Sequence, residues 1–462
     1  MGSRRRCFAQ APVAPLQSLR APGLEVLPGH DIDLRIPGRC RVRIAPERRA
    51  IRGDPGKQRT AIVSMKIVDL KCAVLGNNPV VRIVTDAGLS GYSAVDSWKP
   101  YLKPHVLALR DDILGEDPTD VARVMLKIRQ RGAFKPWGSA VSAVEMALWD
   151  VAGKAAGVPV YKLLGGKVRD RVRVYNGALR QPMSGYGPED YAKSVKAMRA
   201  LPEGFSIVKE GIAFHSPMKR EVPGFYYGDP RPDHVHGYLD RGLLTERGLK
   251  HVVACVAAMK EALGDGIGLA LDCGPGFVVS DAIRLARALE RFNLLWLEDM
   301  ITGDYVPYVQ ADLYREVTQA TSTPIHTGEQ IYLRQNFKDL IERRAVSVVG
   351  PDPCDCGGIA ELKWIAELAD LHDVMIAPHG TGNGLLGLAA LVQVCATLPA
   401  NFIAFEYPNG DPAWWYDIVE GLPDPIVQDG FVQVWDRPGM GVELIPERAR
   451  KYLGAEDATF FD

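Results

Sequence analysis

Residues 268–299 read GLALDCGPGFVVSDAIRLARALERFNLLWLED. A short apolar run, 268–271, stops at Asp272; a glycine-bearing turn follows, then apolar residues recur at helical spacing over 282–291. A second apolar run, 294–297, stops at Glu298. Each run is too short for a helix and is apolar on both faces, the pattern of a strand covered from both sides. Strand, helix and strand at this spacing predict a βαβ unit with parallel strands, and both strands end on an acid.

The same unit recurs on either side. Candidate strands fall at 172–175, 205–208, 268–271, 294–297, 324–327, 346–349, 374–377 and 402–405, with amphipathic helices between them such as 337–343 and 359–371. Eight repeats predict an α/β fold, a (β/α)8 TIM-like barrel; an open doubly wound sheet is the alternative. Before the repeats, strands at 65–75 and 80–85, a turn at Asp86-Ala87-Gly88, a return through Gly91-Tyr92-Ser93 and helices at 118–130 and 139–157 predict an α+β capping domain. The domain reading is therefore a cap over 65–168, a barrel over 169–408, and a segment 409–462, rich in Trp and Pro, packing back on the cap. Residues 1–64 are rich in Arg and Pro and lack periodicity, so they read as a disordered or mis-started extension, with a transit peptide as the alternative. The connection 211–243 is too long for an ordinary βα loop and is expected to form a lid or an oligomer contact.

Composition narrows the partners. Among 462 residues, 55 Lys+Arg face 56 Asp+Glu, so no whole-chain field gathers nucleic acid or an anionic membrane. No apolar run approaches the roughly 20 residues that span a bilayer. A small-molecule partner is expected instead. The eight cysteines are scattered; Cys354 and Cys356 form a Cys-x-Cys with no second pair to complete a zinc site. They read as reduced thiols of a cytoplasmic protein.

Active sites of such barrels sit at the carboxyl ends of the strands. Reading those ends gives Lys209, Asp272, Glu298, Glu329, Asp352, His379 and Glu406. Asp272, Glu298 and Glu329 come from three successive strands, which sets their carboxylates around one point. At about 4 Å and an effective dielectric near 20, each pair of like charges costs on the order of 4 kcal/mol, a repulsion that a divalent cation preferring hard oxygen ligands reverses. Mg2+ is the expected occupant. Asp352 and His379 end the next two strands, where the carboxylate orients the imidazole as a general base. Lys209 adds positive charge near a substrate carboxylate, and Glu406 is placed to exchange a hydrogen bond there, with a plain ion pair as the alternative for each.

From Met65 to about Pro446 the chain resembles the enolase superfamily, mandelate racemase subgroup. The marks are residues 139–150, SAVSAVEMALWD, the following Leu163-Leu164-Gly165-Gly166, Trp296-Leu297-Glu298-Asp299, Thr327-Gly328-Glu329, and Pro351-Asp352 ahead of Gly357-Gly358. The resemblance implies metal ligands at Asp272, Glu298 and Glu329, a base dyad at Asp352 and His379, a carboxylate-polarising Lys209 and a hydrogen-bonding Glu406. It implies proton abstraction beside a carboxylate through a metal-stabilised enediolate. It also implies that cap loops after Leu75 and around 90–99 select the substrate, and that the protein is a homo-oligomer, even-numbered as is common in the family.

One departure narrows the activity. Racemases of the subgroup carry Lys-x-Lys on the second strand, whereas this chain has Lys209-Glu210-Gly211. With one base, elimination of a β-hydroxyl is easier than inversion, so the expected activity is dehydration of a sugar acid, an aldonate such as a hexonate, to a 2-keto-3-deoxy acid. A racemase or epimerase of a 2-hydroxy acid and a catalytically silent barrel are the alternatives. Some dehydratases of the group place a histidine two residues after the first metal ligand, where this chain has Gly274. His379 then serves as both base and acid, or Tyr226, Tyr227, His234 or His236 of the long connection supplies a separate acid.

Overall fold

The computed structural model describes residues 65–96, 99–129, 138–229, 240–301, 309–380, 382, 384–408 and 413–462. The extension 1–64, His234 and His236 lie outside them.

Strands β1 (Ile67–Leu75), β2 (Asn78–Thr85) and β3 (Ser90–Ala94) form an antiparallel sheet in chain order. Helices α1 (Val121–Arg129) and α2 (Gly138–Ala156) pack on it and share its core. α2 is buried on almost every face, which its run of Ala, Val, Ser and Gly permits. Gly91 of β3 makes the approach possible, because a Cβ there would lie 2.2 Å from the Ala147 carbonyl.

The eight strands that follow are β4 (Arg171–Tyr175), β5 (Ile207–Gly211), β6 (Gly268–Asp272), β7 (Leu297–Glu298), β8 (Ile325–Thr327), β9 (Val348–Val349), β10 (Met375–Ile376) and β11 (Phe405–Glu406). β5 to β10 pair in parallel in chain order, and β11 pairs in parallel with β4. Parallel bridges Asn176↔Val208 and Ile376↔Phe402 join these two groups, closing the ring. Tyr175, Ile207, Ala270, Trp296, Val348, Ala377 and Ala404 fill its interior as a separate cluster. The barrel is thus plugged beneath its carboxyl end, as the packed core of such a fold requires.

Helix positions follow the apolar periodicity, as in α3 (Pro188–Arg199), α4 (Glu246–Leu263), α5 (Val279–Leu289), α6 (Ala311–Gln319), α7 (Arg334–Glu342), α8 (Ile359–Leu371) and α9 (Gly384–Cys395). Among the described residues no helix is long and apolar enough to cross a membrane.

The cap is joined to the barrel through polar groups. Glu145 of α2 accepts hydrogen bonds from the backbone N–H groups of Ile359 (2.9 Å) and Ala360 (3.0 Å) at the start of α8, and from the Trp149 indole at 2.7 Å. Ser142 Oγ accepts from Gly357 N at 2.9 Å. Two sequence marks far apart in the chain, 139–150 and Gly357-Gly358, are therefore the two halves of one joint. Lys99 adds a second tie, its ammonium 2.9 Å from Asp355 and 3.0 Å from Asp96.

The later residues fasten both parts. β12 (Phe431–Gln433) pairs antiparallel with β4. Asp457 accepts from Val74 N of β1 at 3.0 Å and pairs with Lys103 at 2.5 Å, while Leu453 bridges Leu75.

Candidate active site

The residues at the carboxyl rim form two layers. Lys209, Glu298 and Glu406 lie on the floor with side chains 3%, 1% and 1% exposed. Asp272, Glu329 and His379, at 10%, 12% and 17%, face the mouth.

On the floor, Lys209 Nζ donates to Glu298 Oε1 at 2.6 Å and to Glu406 Oε2 at 3.2 Å. The Trp296 indole donates to Glu298 Oε2 at 2.9 Å, and the Tyr175 hydroxyl to Glu406 Oε2 at 3.4 Å. Trp296 stacks on the fully buried His326, whose Nδ1 lies 3.4 Å from Glu298 Oε2. Burial alone would lower the Lys209 pKa, but the charges of Glu298 and Glu406 outweigh it and hold the ammonium well above the usual lysine range. Burial likewise raises the Glu406 carboxyl, and Lys209 and His379 overcome that to leave it below the usual range.

Nearer the mouth, Asp352 Oδ2 accepts from His379 Nδ1 at 2.6 Å, and Cys354 N holds the other carboxylate oxygen at 2.7 Å. With Nδ1 so engaged, Nε2 faces inward, 3.3 Å from Glu329 and 3.5 Å from Glu406. A carboxylate that fixes the tautomer while the second nitrogen points into a cleft is the arrangement of a general base.

Asp272 and Glu298 are in register across β6 and β7. Burial pushes the Asp272 carboxyl up to about 6; Lys209 opposes that, and the charge of Glu329 adds to it. Burial also raises Glu298. Asp272, Glu298, Asp299, Glu329 and Glu406 together outnumber the ammonium of Lys209, so the cluster carries excess negative charge in a dry place. Carboxylate oxygens are the donors that Mg2+ and similar hard cations prefer, and the residues present fit such an ion. The oxygens of Glu298, Asp299 and Glu329 already lie within 4.8 Å of one another. Asp272, in contrast, turns toward Gly274 N (3.1 Å) and His215 Nδ1 (3.2 Å), while Asp299 Oδ1 also accepts from the Thr327 hydroxyl at 2.5 Å.

Sequence reading missed Asp299, His215 and Arg180. Asp299 was masked by its neighbour Glu298, since adjacent residues on a strand point to opposite faces; a positive φ of 50° turns it back toward the cluster. Arg180 reaches the rim from the loop after β4 and pairs with Glu210 at 3.0 Å. Of the tyrosines weighed as acids, Tyr226 is buried against Phe214, with ring centroids 5.4 Å apart, and Tyr227 is 74% exposed.

A capped parallel barrel with acids from successive strands facing an Asp–His dyad defines the class: enzymes that hold a divalent metal at the carboxyl rim. Residues 62–165 match the mandelate racemase/muconate lactonizing enzyme N-terminal domain, and residues 194–448 match the enolase C-terminal domain-like family. The chain is 33% identical to the D-xylonate dehydratase of Haloferax volcanii, over 87% of this chain and 92% of that one. It is 30% identical to the D-galactonate dehydratase of Variovorax paradoxus, over 80% and 89%. A mandelate racemase/muconate lactonizing enzyme-like protein from Rubrobacter xylanophilus superposes with a TM-score of 0.72 at 33% identity, covering 85% of this chain and 98% of that one. The chain belongs to the enolase superfamily, in its mandelate racemase/muconate lactonizing enzyme branch.

Proposed function

We propose that this protein is a Mg2+-dependent sugar-acid dehydratase acting on a five- or six-carbon aldonate. The observation that carries the reading is the His379–Asp352 pair, with one imidazole nitrogen fixed at 2.6 Å and the other aimed into the acid cluster. The relatives named for D-xylonate and D-galactonate dehydration support the substrate class.

Asp272, Glu298 and Glu329 would hold the metal. When bound, it supplies fixed positive charge where the substrate carboxylate gathers negative charge as its α-proton leaves. The chain's own groups do the rest. His379 Nε2 takes the α-proton, and Asp352 stabilises the imidazolium that results. Lys209, held on the floor by Glu298 and Glu406, adds a second cation whose field is strongest in that dry place. The enediolate collapses, its electron pair forming the C2=C3 bond as the C3–O bond breaks, and the resulting enol tautomerises to the 2-keto-3-deoxy acid. Position 211, where a second base would stand, is glycine, which favours elimination over inversion. We further propose an even-numbered homo-oligomer and a cytoplasmic setting.

The test is a panel of aldonic and aldaric acids with Mg2+, including D-xylonate and D-galactonate, with 2-keto-3-deoxy products trapped by semicarbazide. Turnover of one or more aldonates is expected. Return of α-deuterated, configurationally scrambled substrate without keto product would instead establish an epimerase.

A further inference from the structure

We propose that His215 is the proton donor to the departing hydroxyl, on the side of the substrate opposite His379. This deepens the dehydratase reading and rests on it.

His215 reaches the site by an unusual route. β5 ends at Gly211, and the chain then turns sharply through Ala213, at φ 54°, into His215. The His215 N–H donates to Ile212 O and to Cys273 O, each at 3.0 Å, so its backbone is pinned to the segment that follows β6. Two glycines enclose the side chain. At Gly274, with φ +62°, a Cβ would lie 2.7–2.9 Å from the His215 N, Cα and Cβ. At Gly211 a Cβ would lie 2.7 Å from His215 Cδ2 and 3.2 Å from the Arg180 guanidinium. The two positions where the sequence lacks a catalytic side chain are thus the two that make room for one histidine, Gly274 for its backbone and Gly211 for its ring.

That imidazole is placed to act. Its Nδ1 is 3.2 Å from Asp272 Oδ1, which fixes the ring and turns Nε2 away from that carboxylate. The side chain is 28% exposed, against 1–3% for the floor residues, so like His379 it lies above the floor. His215 follows β5 and is pinned to the segment after β6, three and four strands from β10 in the closed ring of eight, which puts it across the barrel axis from His379.

The chemistry needs a group on that side. Hydroxide is a poor leaving group, and His379 holds the abstracted α-proton on the other face. As C2=C3 forms, the C3 oxygen leaves with its bonding pair and takes a proton from His215 Nε2, departing as water; His215 is left neutral and His379 protonated. Arg180, held by Glu210, completes a polar wall beside His215.

The test compares a D-aldonate substrate with its 3-deoxy-3-fluoro analogue, since fluoride leaves without protonation. In His215→Asn, turnover of the hydroxy acid is expected to fall about a hundred- to ten-thousand-fold. Fluoride release should stay within about threefold of wild type, exchange of the α-hydrogen in D2O should persist, and Mn2+ affinity should be unchanged. Gly274→Ala, which displaces the ring without removing it, should reproduce the split if His215→Asn does not fold. Equal losses on both substrates, loss of α-exchange, or Mn2+ affinity falling in step with turnover would each overturn the proposal. Wild-type protein inactive on every aldonate sinks the dehydratase reading and this one together; active wild type with an unimpaired His215→Asn sinks this one alone.

Discussion

Two places in this protein bury carboxylates, and they do so in opposite ways. At the joint between cap and barrel, Glu145 is fully enclosed, yet both its oxygens are matched by backbone and indole N–H donors. At the barrel rim, Asp272, Glu298, Asp299, Glu329 and Glu406 crowd together, and the charge of one opposes ionisation of the next. A satisfied buried acid holds a structure together. A crowd of acids short of cations is an arrangement that stability alone would not favour, and it marks a place where a cation and a reaction belong.

Breaking the reactive side of this contrast should have the largest effect. His379→Asn is expected to lower turnover about ten-thousand-fold and to abolish α-hydrogen exchange in D2O, with the fold unchanged by circular dichroism. Exchange that survives in this variant would remove His379 as the base.

In the metal set, two aspartates compete for one role. Asp272→Asn is expected to weaken Mn2+ binding at least tenfold, whereas Asp299→Asn, whose Oδ1 is engaged by Thr327, should change it by less than about threefold. Titration calorimetry decides, and the reverse order would hand the third ligand to Asp299.

At the joint, Glu145→Ala leaves two helix-starting N–H groups and an indole buried without an acceptor, at a cost of about 2–3 kcal/mol in denaturant unfolding. Activity per folded molecule should change little. Burial pushes this carboxyl up to about 7 from 4.5, against the pull of its N–H donors. Because folding raises its pKa, the contribution to stability is full below about 4.5 and is lost as pH rises through about 7. Melts at pH 5 and pH 8 should therefore differ in the native protein, and Glu145→Gln should flatten that slope.

The smallest effect is expected at Lys99, the second tie. Lys99→Met frees the cap loop from Asp355, three residues beyond the base dyad, and should raise KM about threefold with kcat nearly constant. A fall in kcat alone would mean that the tie positions the dyad rather than the loop.

Much of this was legible in the chain. Short apolar runs located all the barrel strands, four of them stopping directly on a charged residue, because a strand covered on both faces has no room for polar residues until it reaches the rim. The residues proposed for metal and base lie where those runs stop. Asp299, Arg180 and His215 were not legible, because each depends on how a loop turns: a positive φ at Asp299, a reach across from β4, and a tight bend after Gly211. The histidine's signal was present only as two glycines in places that suited larger residues. The strand ends also shifted by one to three residues, as hydrogen-bonded pairing trims β7, β9, β10 and β11 to dipeptides.

The link between β1 and Asp457 has a bearing on biosynthesis. The N–H of Val74 finds its acceptor 383 positions further along the chain. The sheet, made before the barrel, therefore keeps part of one edge unfinished until the whole barrel has been translated, so the cap cannot complete its hydrogen bonds during synthesis ahead of the domain it covers.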